Sequence, residues 1–166
     1  MFWQATVFTG DVSTWDVDGV TDMRNVFNNA RNFNGALNDW DVSNATNMGG
    51  MFGNAVVFNQ DLSGWNTAAV TNMGSMFSSA SVFNSDISGW NTSSVEYTTA
   101  MFRSATAFNQ DISNWDVSSV VKMKEMFDNA DAFNQSLSEW DVSAVTDMSY
   151  MFEDTDSFNG DLSTRN

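Results

Sequence analysis

Hydrophobic residues recur along the chain with a period of 25 residues. One tryptophan series and two phenylalanine series keep this period without an insertion or a deletion. The tryptophans are Trp15, Trp40, Trp65, Trp90, Trp115 and Trp140. The phenylalanines are Phe8, Phe33, Phe58, Phe83, Phe108, Phe133 and Phe158, and Phe2, Phe27, Phe52, Phe77, Phe102, Phe127 and Phe152. Each repeat is therefore expected to be one geometric unit of a stack.

Two hydrophobic patterns alternate within each unit. Between residues 123 and 130, apolar residues are spaced i, i+3, i+4 and i+7, which predicts a helix of about two to three turns. They are Met123, Met126, Phe127 and Ala130. Over residues 112–120 the apolar residues Trp115 and Val117 fall on alternate positions, which predicts a strand with one buried face.

The fold class predicted from these patterns is an α/β repeat solenoid. It would be a leucine-rich-repeat-like stack of 25-residue units, each a short parallel β-strand plus a short helix. Residues 1–166 would form a single solenoid domain of about six and a half repeats, as part of a longer array. Neither end shows a polar capping repeat, which predicts end-to-end contacts through the uncapped repeats.

The repeated phrase also resembles that of a known family. It reads [ILV]-S-x-W-D-V-S-x-V-T-N-M-x-x-M-F-x-x-A-x-x-F-N-Q-D and covers essentially the whole chain. This pattern is similar to the repeat of the BspA-like surface proteins, a leucine-rich-repeat-type family of mycoplasma lipoproteins, other bacteria, protists and algae. The resemblance implies an extracellular or cell-surface protein that mediates adhesion or protein contacts and has no enzymatic activity.

Composition and charge narrow the classes of function. Six Lys and Arg against 21 Asp and Glu give a net charge of −15, which repels nucleic acid and anionic membranes. No apolar run is long enough to cross a bilayer, so neither a nucleic-acid partner nor direct membrane insertion is expected. The chain has no His, the commonest general base, and no Cys, the residue that supplies thiolate ligands to metals. We therefore expect no enzymatic activity and no cofactor.

Three polar columns follow the same period. An asparagine column at the return turn is expected to form a ladder that satisfies turn backbone: Asn34, Asn59, Asn84, Asn109, Asn134 and Asn159. An aspartate column before the predicted strand is expected to cap turns: Asp11, Asp61, Asp86, Asp111 and Asp161. A second aspartate column, continued by Asn66 and Asn91, follows the tryptophans, and Ca²⁺ ligation is an alternative role for it. It contains Asp16, Asp41, Asp116 and Asp141.

Departures from the repeat mark the candidate partner-binding residues. In the segment VEYTTAMFRSA, residues 95–105, Glu96 and Tyr97 replace the usual Thr and Asn or Asp. Tyrosine is an amphipathic contact group that is enriched at interfaces. Neutral drift on a solvated helix face is the alternative interpretation, because surface substitutions are usually tolerated. The candidates are Trp3, Glu96, Tyr97, Arg103, Lys122 and Lys124.

These observations predict a non-enzymatic protein-interaction or cell-surface adhesion module. Its extended solenoid face would meet a protein or a glycan partner. The alternative is a structural or peripheral subunit of a larger organellar or intracellular assembly, with its uncapped ends covered by neighbouring subunits. An enzyme would need a unique constellation of acid, base or nucleophile, whereas nearly every polar feature of this chain is repeated.

Overall fold

The computed structural model describes residues 2–163, and it has neither the predicted helices nor the predicted strands. Within these residues there is no helix, and the β-type pairing consists of isolated parallel bridges between residues 25 positions apart. The bridges are Asp22↔Asn47, Asn47↔Asn72, Asn72↔Tyr97, Tyr97↔Lys122 and Lys122↔Asp147. The prediction of an α/β, leucine-rich-repeat-like solenoid of strand-plus-helix units is therefore wrong.

The chain is instead wound into coils made of turns, and the coils stack on one another in register. Coils 1 to 5 are residues 22–46, 47–71, 72–96, 97–121 and 122–146, with partial coils at 2–21 and 147–163. In coil 1 the turns occupy 24–29, 31–32, 38–39 and 43–44, and the same offsets recur in coils 2 to 5. Turns are closed by bonds to the carbonyl three residues earlier, as where Phe33 N–H donates to Ala30 O at 3.0 Å.

The helix predicted over residues 123–130, and over the equivalent residues of the other coils, is absent. Alternate backbone amides of this segment donate to the next coil. Met23 N–H donates to Asn47 O at 2.8 Å. Phe27 N–H donates in the same way to Met51 O at 2.9 Å. In an α-helix these amides would donate to the carbonyl four residues earlier. The bonds that a helix needs are thus replaced by bonds that join the coils.

Residues with a left-handed backbone conformation also interrupt the segment predicted as a helix, at every fourth position. Asn25 and Asn29 have φ of 56° and 59°, and equivalent residues with positive φ recur in each following coil. Asparagine and glycine tolerate this region better than other residues. The apolar spacing i, i+3, i+4 and i+7 does bury its side chains, and Met123 and Phe127 are fully buried. Successive turns, rather than a helix, bring them to the core.

The predicted strand at 112–120 is also absent. Residues 113–114 and 118–119 are turns, although Trp115 and Val117 are buried as the alternation suggested. Here a side chain joins the coils, because Trp115 Nε1–H donates to Ile87 O at 3.2 Å. The equivalent indole bonds run from Trp40 to Val12 O, Trp65 to Leu37 O, Trp90 to Leu62 O and Trp140 to Ile112 O, at 2.9–3.1 Å.

Two columns of stacked phenylalanines form the centre of the core. Within coil 3 the rings of Phe77 and Phe83 stack with centroids 3.8 Å apart. Phe77 also stacks on Phe102 of coil 4 at 5.8 Å. All three rings are fully buried. Each coil therefore completes the core of its neighbour and leaves one side of the stack free for variable residues.

Candidate interaction surface

One side of the stack, where the coils are bridged, carries the residues that differ most between coils. We call it the turn face; it consists of residues 22–29, 47–54, 72–79, 97–104, 122–129 and 147–154. In coils 2 and 3 its segments read NMGGMFGN and NMGSMFSS, so that only Asn, Gly and Ser accompany the Met and Phe. In coils 4 and 5 they read YTTAMFRS and KMKEMFDN. Coils 4 and 5 thus carry large and charged side chains that coils 2 and 3 lack, whereas coil 1 carries one ion pair within the coil, Arg24 to Asp22 at 2.7 Å.

Four of the six predicted partner-binding residues lie together on coils 4 and 5, and a fifth, Glu96, is the last residue of coil 3. Tyr97 and Lys122 pair in a parallel bridge, and Tyr97 is exposed. Glu96 is exposed directly before Tyr97, and its N–H donates to a backbone carbonyl of coil 2 at 2.8 Å. Arg103 is exposed, and Lys124 is half-buried. The structure therefore brings together residues that the sequence marked separately.

Trp3 is the predicted residue that lies apart from this group. By the 25-residue period it takes the position of Arg103 in the first partial coil, four coils away. Its indole is highly exposed. Trp3 thus lies at the equivalent position of the first partial coil, before the first segment of the turn face, and is not in contact with the other candidates.

Ion pairs connect coils 4 and 5 across the turn face. Arg103 Nε lies 3.0 Å from a carboxylate oxygen of Asp128, which is almost fully buried. A second Arg103 nitrogen lies 3.4 Å from Glu125, and Lys124 Nζ lies 3.1 Å from the same carboxylate. The hydrogen bond to Glu125 raises the pKa of Lys124 above its ordinary value. The guanidinium is thus held in place by two carboxylates of the next coil.

Lys124 extends this network to an aromatic ring of the last partial coil. Its Nζ lies 5.8 Å from the centroid of Tyr150, within the range of a cation–π contact. We call the whole group the charged patch. It consists of Tyr97, Arg103, Lys122, Lys124, Glu125, Asp128 and Tyr150.

Sequence reasoning missed three members of the charged patch, namely Glu125, Asp128 and Tyr150. All three lie at variable positions of the consensus phrase, so none of them departs from it. The signal was present, because Asp128 follows Arg103 by one 25-residue period and therefore carries the opposite charge one coil away. Tyr150 follows Glu125 by the same period.

Two residues of the charged patch, Glu125 and Tyr150, also have strained backbone. The left-handed position of coils 1 to 3 holds Asn25, Gly50 and Ser75, which are small or amide residues. The next residues in this column are Ala100, Glu125 and Tyr150, with φ of 54°, 57° and 59°. A left-handed conformation costs such residues about 1–2 kcal/mol each. The later coils therefore keep costly side chains where an asparagine or glycine would fit without strain.

The asparagine ladder predicted at the return turn is confirmed. Asn34 Oδ1 accepts the N–H of Asn59 at 2.9 Å, and this bond recurs at 2.7–2.9 Å for each later pair of the column. Turn capping by the first aspartate column is confirmed too. Asp61 Oδ1 accepts the N–H of Ser63 at 2.9 Å, and the other four aspartates make the same bond at 2.8–3.0 Å. Both columns serve the scaffold.

The aspartates considered for calcium also cap turns. Asp116 Oδ1 accepts the N–H of Ser118 at 3.0 Å, and Asp41 and Asp141 make the same bond at 2.9 and 3.0 Å. The backbone and hydroxyl of the serine two residues later hold the pKa of these three carboxyls below its ordinary value, the hydroxyl contributing most. Asp16 accepts the N–H of Asp18 at 3.3 Å. Residues 2–163 contain no group of three or more acidic side chains that could hold a metal ion.

Comparison with known proteins places the chain in a family. No curated protein and no solved structure matches it significantly. Among residues 2–163 there is no helix of the length and apolar character needed to cross a membrane. A family model described as "Mycoplasma protein of unknown function, DUF285" matches residues 1–107 and again residues 83–166. Since these two matches together cover the chain from end to end, it belongs to the DUF285 family.

Proposed function

We propose that the chain is a non-enzymatic protein-interaction module of the BspA-like surface type, and that the charged patch binds its partner. One observation carries the proposal. Both tyrosines of the chain and three of its six Lys and Arg residues lie in this patch. Tyrosine and arginine are enriched at protein interfaces and at their binding hot spots.

The rest of the chain supports this assignment by contrast. The asparagine ladder and both aspartate columns bond to the backbone of the stack, so the repeated polar residues are committed to the scaffold. The charged patch is not repeated and is not needed for stacking, because coils 2 and 3 stack with Gly, Ser and Asn at the same positions. The patch residues replace side chains with which other coils stack, and some of them strain the backbone. Both properties favour a binding role.

The geometry also suggests what the partner offers. Arg103 is held by two carboxylates, whereas Lys122 forms no ion pair within 4.0 Å among residues 2–163 and acts on the bridged Asp147 only at longer range. Beside it, the exposed Tyr97 presents a ring and a hydroxyl. A protein surface with an apolar group for Tyr97 and a carboxylate for Lys122 would complement this pair. We favour a protein over a glycan for this reason.

A photo-reactive amino acid placed at Tyr97 tests this proposal. The same group at Val57, which is 41% exposed like Tyr97 but lies in coil 2, is the matched control. After irradiation with the surface fraction of the source cells, we expect a discrete protein adduct from position 97 and none from position 57. Absence of an adduct, or equal labelling from both positions, would contradict the proposal.

Competition by unlabelled chain separates patch binding from general adhesion. The wild-type chain and Asn72→Ala should suppress the adduct at the same concentration. A chain carrying Tyr97→Ala and Lys122→Ala should need at least about tenfold more, since loss of interface anchors typically costs more than 1 kcal/mol. Equal suppression by all three chains would place the binding site elsewhere.

We also propose that the chain acts outside the cell or on the cell surface, and not in an organellar or intracellular assembly. The support is the resemblance of its repeat to that of the BspA-like surface proteins. Protease treatment of intact source cells tests this part separately. Surface exposure predicts that the chain is cleaved while a cytosolic marker survives, and protection of both would contradict it.

A further inference from the structure

The turn face of coils 1 to 5 is the side of the stack on which charge does not oppose contact with a second copy. Four of the chain's six Lys and Arg residues but only three of its 21 Asp and Glu residues lie there. They are Arg24, Arg103, Lys122 and Lys124, and Asp22, Glu125 and Asp128. This face is therefore weakly positive on a chain of net charge −15, whose other sides repel a second copy.

The size of the side chains changes along the same face. Coils 2 and 3 carry only Asn, Gly and Ser beside their Met and Phe, which are buried. Coil 4 carries the exposed side chains of Tyr97 and Arg103. When two copies meet face to face with their stacks antiparallel, the large residues of coil 4 lie opposite the short residues of coil 2. A surface that complements itself in this way suits a dimer with two-fold symmetry.

The antiparallel arrangement also brings opposite charges together. A two-fold axis across the stack at coil 3 places coil 1 opposite coil 5 and coil 2 opposite coil 4. In the bridged column, Asp22 of one copy then faces Lys122 of the other, and symmetry makes this contact twice. Asp22 is exposed, and Lys122 has no carboxylate within 4.0 Å among residues 2–163. Parallel stacks would instead place the large residues of coils 4 and 5 against their own copies.

Arg24 and Lys124 also face each other in the antiparallel arrangement, but each already has a carboxylate partner. Arg24 Nη2 lies 2.7 Å from a carboxylate oxygen of Asp22, and Lys124 Nζ lies 3.1 Å from one of Glu125. The two like charges are thus compensated within their own chains. The carboxylate of Asp22 has enough lone pairs to accept from Lys122 as well.

Tyr97 would meet Asn47 and Gly49 of coil 2 in the second copy. Gly49 has no side chain to hold the tyrosine ring away from the backbone, and both residues are half-buried. Asn47 Oδ1 accepts Gly49 N–H at 3.0 Å, while its Nδ2 donates to no acceptor among residues 2–163. This amide is therefore a donor for the tyrosine hydroxyl. Asn72, on the axis, is no anchor, because it is short and its Oδ1 accepts Gly74 N–H.

We propose that the partner of the charged patch is a second copy of this chain, bound through the turn face as an antiparallel dimer with two-fold symmetry. The inference rests on the proposed function, because it takes the charged patch as the partner-binding site. It adds the identity of the partner. Binding is then homophilic, and each copy supplies both the large and the short residues of the contact.

Exchange of the charges at Asp22 and Lys122 tests the arrangement. Sedimentation equilibrium of the purified chain at about 0.15 M salt should show a monomer–dimer equilibrium. Asp22→Lys and Lys122→Glu each place like charges opposite one another twice, and each should raise the dimer dissociation constant at least about tenfold. A mixture of the two variants should form a heterodimer with nearly the wild-type constant, because both contacts again join opposite charges.

Asp39→Lys is the matched control for Asp22→Lys. Asp39 is also an exposed aspartate of coil 1, and its replacement changes the net charge by the same amount. It lies in the turn at 38–39, outside the turn face, so its replacement should not raise the dissociation constant. Equal melting temperatures of the three variants would verify that the fold is kept, as expected for surface substitutions.

A photo-reactive amino acid at Tyr97 of the purified chain separates this inference from the proposed function. Dimerisation predicts a cross-link to residues 47–54 of a second copy. A chain that stays monomeric, a mixture without recovery, or a cross-link to another segment would overturn the inference. If the probe then gives an adduct only with a different protein of the source cells, the proposed function stands and the second copy is excluded. Absence of every adduct would contradict both.

Discussion

Trp115 tests whether side chains packed between the coils hold the stack together. The indole is only 3% exposed, and its ring centroid lies 6.4 Å from that of Trp90 and 6.2 Å from that of Phe102. Its Nε1–H donates to Ile87 O at 3.2 Å. Replacement by alanine would therefore remove contacts with an adjacent coil and within its own coil, together with one hydrogen bond between coils.

The expected loss of stability follows from this geometry. Truncating a buried Trp to Ala typically costs about 3–5 kcal/mol. The hydrogen bond adds little beyond this, because Ile87 O still accepts Trp90 N–H at 3.1 Å and is not left unpaired. We expect Trp115→Ala to lower the free energy of unfolding by about 3–5 kcal/mol. Trp115→Phe, which keeps most of the packing and leaves a smaller cavity, should cost about 1–2 kcal/mol.

Trp15→Ala is the matched control. Trp15 has the same position in the first partial coil, but it is 40% exposed and its indole makes no hydrogen bond with residues 2–163. With less area buried, its truncation should cost about 1–2 kcal/mol. Urea denaturation followed by circular dichroism gives both values when the m-values agree. A cost below about 1 kcal/mol at Trp115, or an equal cost at Trp15, would refute the account of the core.

Other substitutions and conditions test the backbone and the acidic columns. Ala100→Gly should raise the free energy of unfolding by about 1 kcal/mol in thermal denaturation, because Ala100 has φ of 54° and glycine adopts this region without strain. Gly50→Ala should lower it by at least as much, since Gly50 has φ of 63° and a Cβ would collide with Asn25 Oδ1. The hydrogen bonds from Ser118 hold the pKa of Asp116 below its ordinary value, so the carboxylate adds stability above the unfolded pKa of about 3.9 and loses it as pH falls through the lower folded pKa. Asp116→Asn should therefore weaken the fall of the melting temperature on acidification, since asparagine occupies the same position in coils 2 and 3. Millimolar CaCl₂ should leave the melting temperature unchanged, and a rise reversed by a chelator would restore the calcium alternative.

The period and the buried residues were readable from the sequence, but the conformation was not. An apolar spacing of i, i+3, i+4 and i+7 is shared by a helix and by successive turns closed three residues apart. Whether a helix or turns form depends on the acceptor of amides such as that of Phe27. Its acceptor, Met51 O, lies in another coil. A local signal did exist, because Asn, Gly or Ser occupies the two left-handed positions of coils 1 to 3. The regular recurrence of Asn, Gly and Ser at these two positions favours turns over a helix.

The candidate site was predictable only in part for a related reason. Glu96 and Tyr97 stand out within their own unit, so comparison with the consensus phrase finds them. The ion pair between Arg103 and Asp128 becomes visible only when neighbouring coils are aligned. The near-complete burial of Asp128 could not be predicted, because it depends on how closely the turns of coils 4 and 5 approach each other.

Trans-hydrogen-bond scalar coupling at the amide of Phe77 tests the central claim most directly. In the stacked coils Phe77 N–H donates to Met101 O of coil 4 at 2.9 Å. In the helix that the apolar spacing first suggested, the same amide would donate to Met73 O. The account predicts a coupling between the Phe77 nitrogen and the Met101 carbonyl carbon. A coupling to the Met73 carbonyl carbon instead would contradict it.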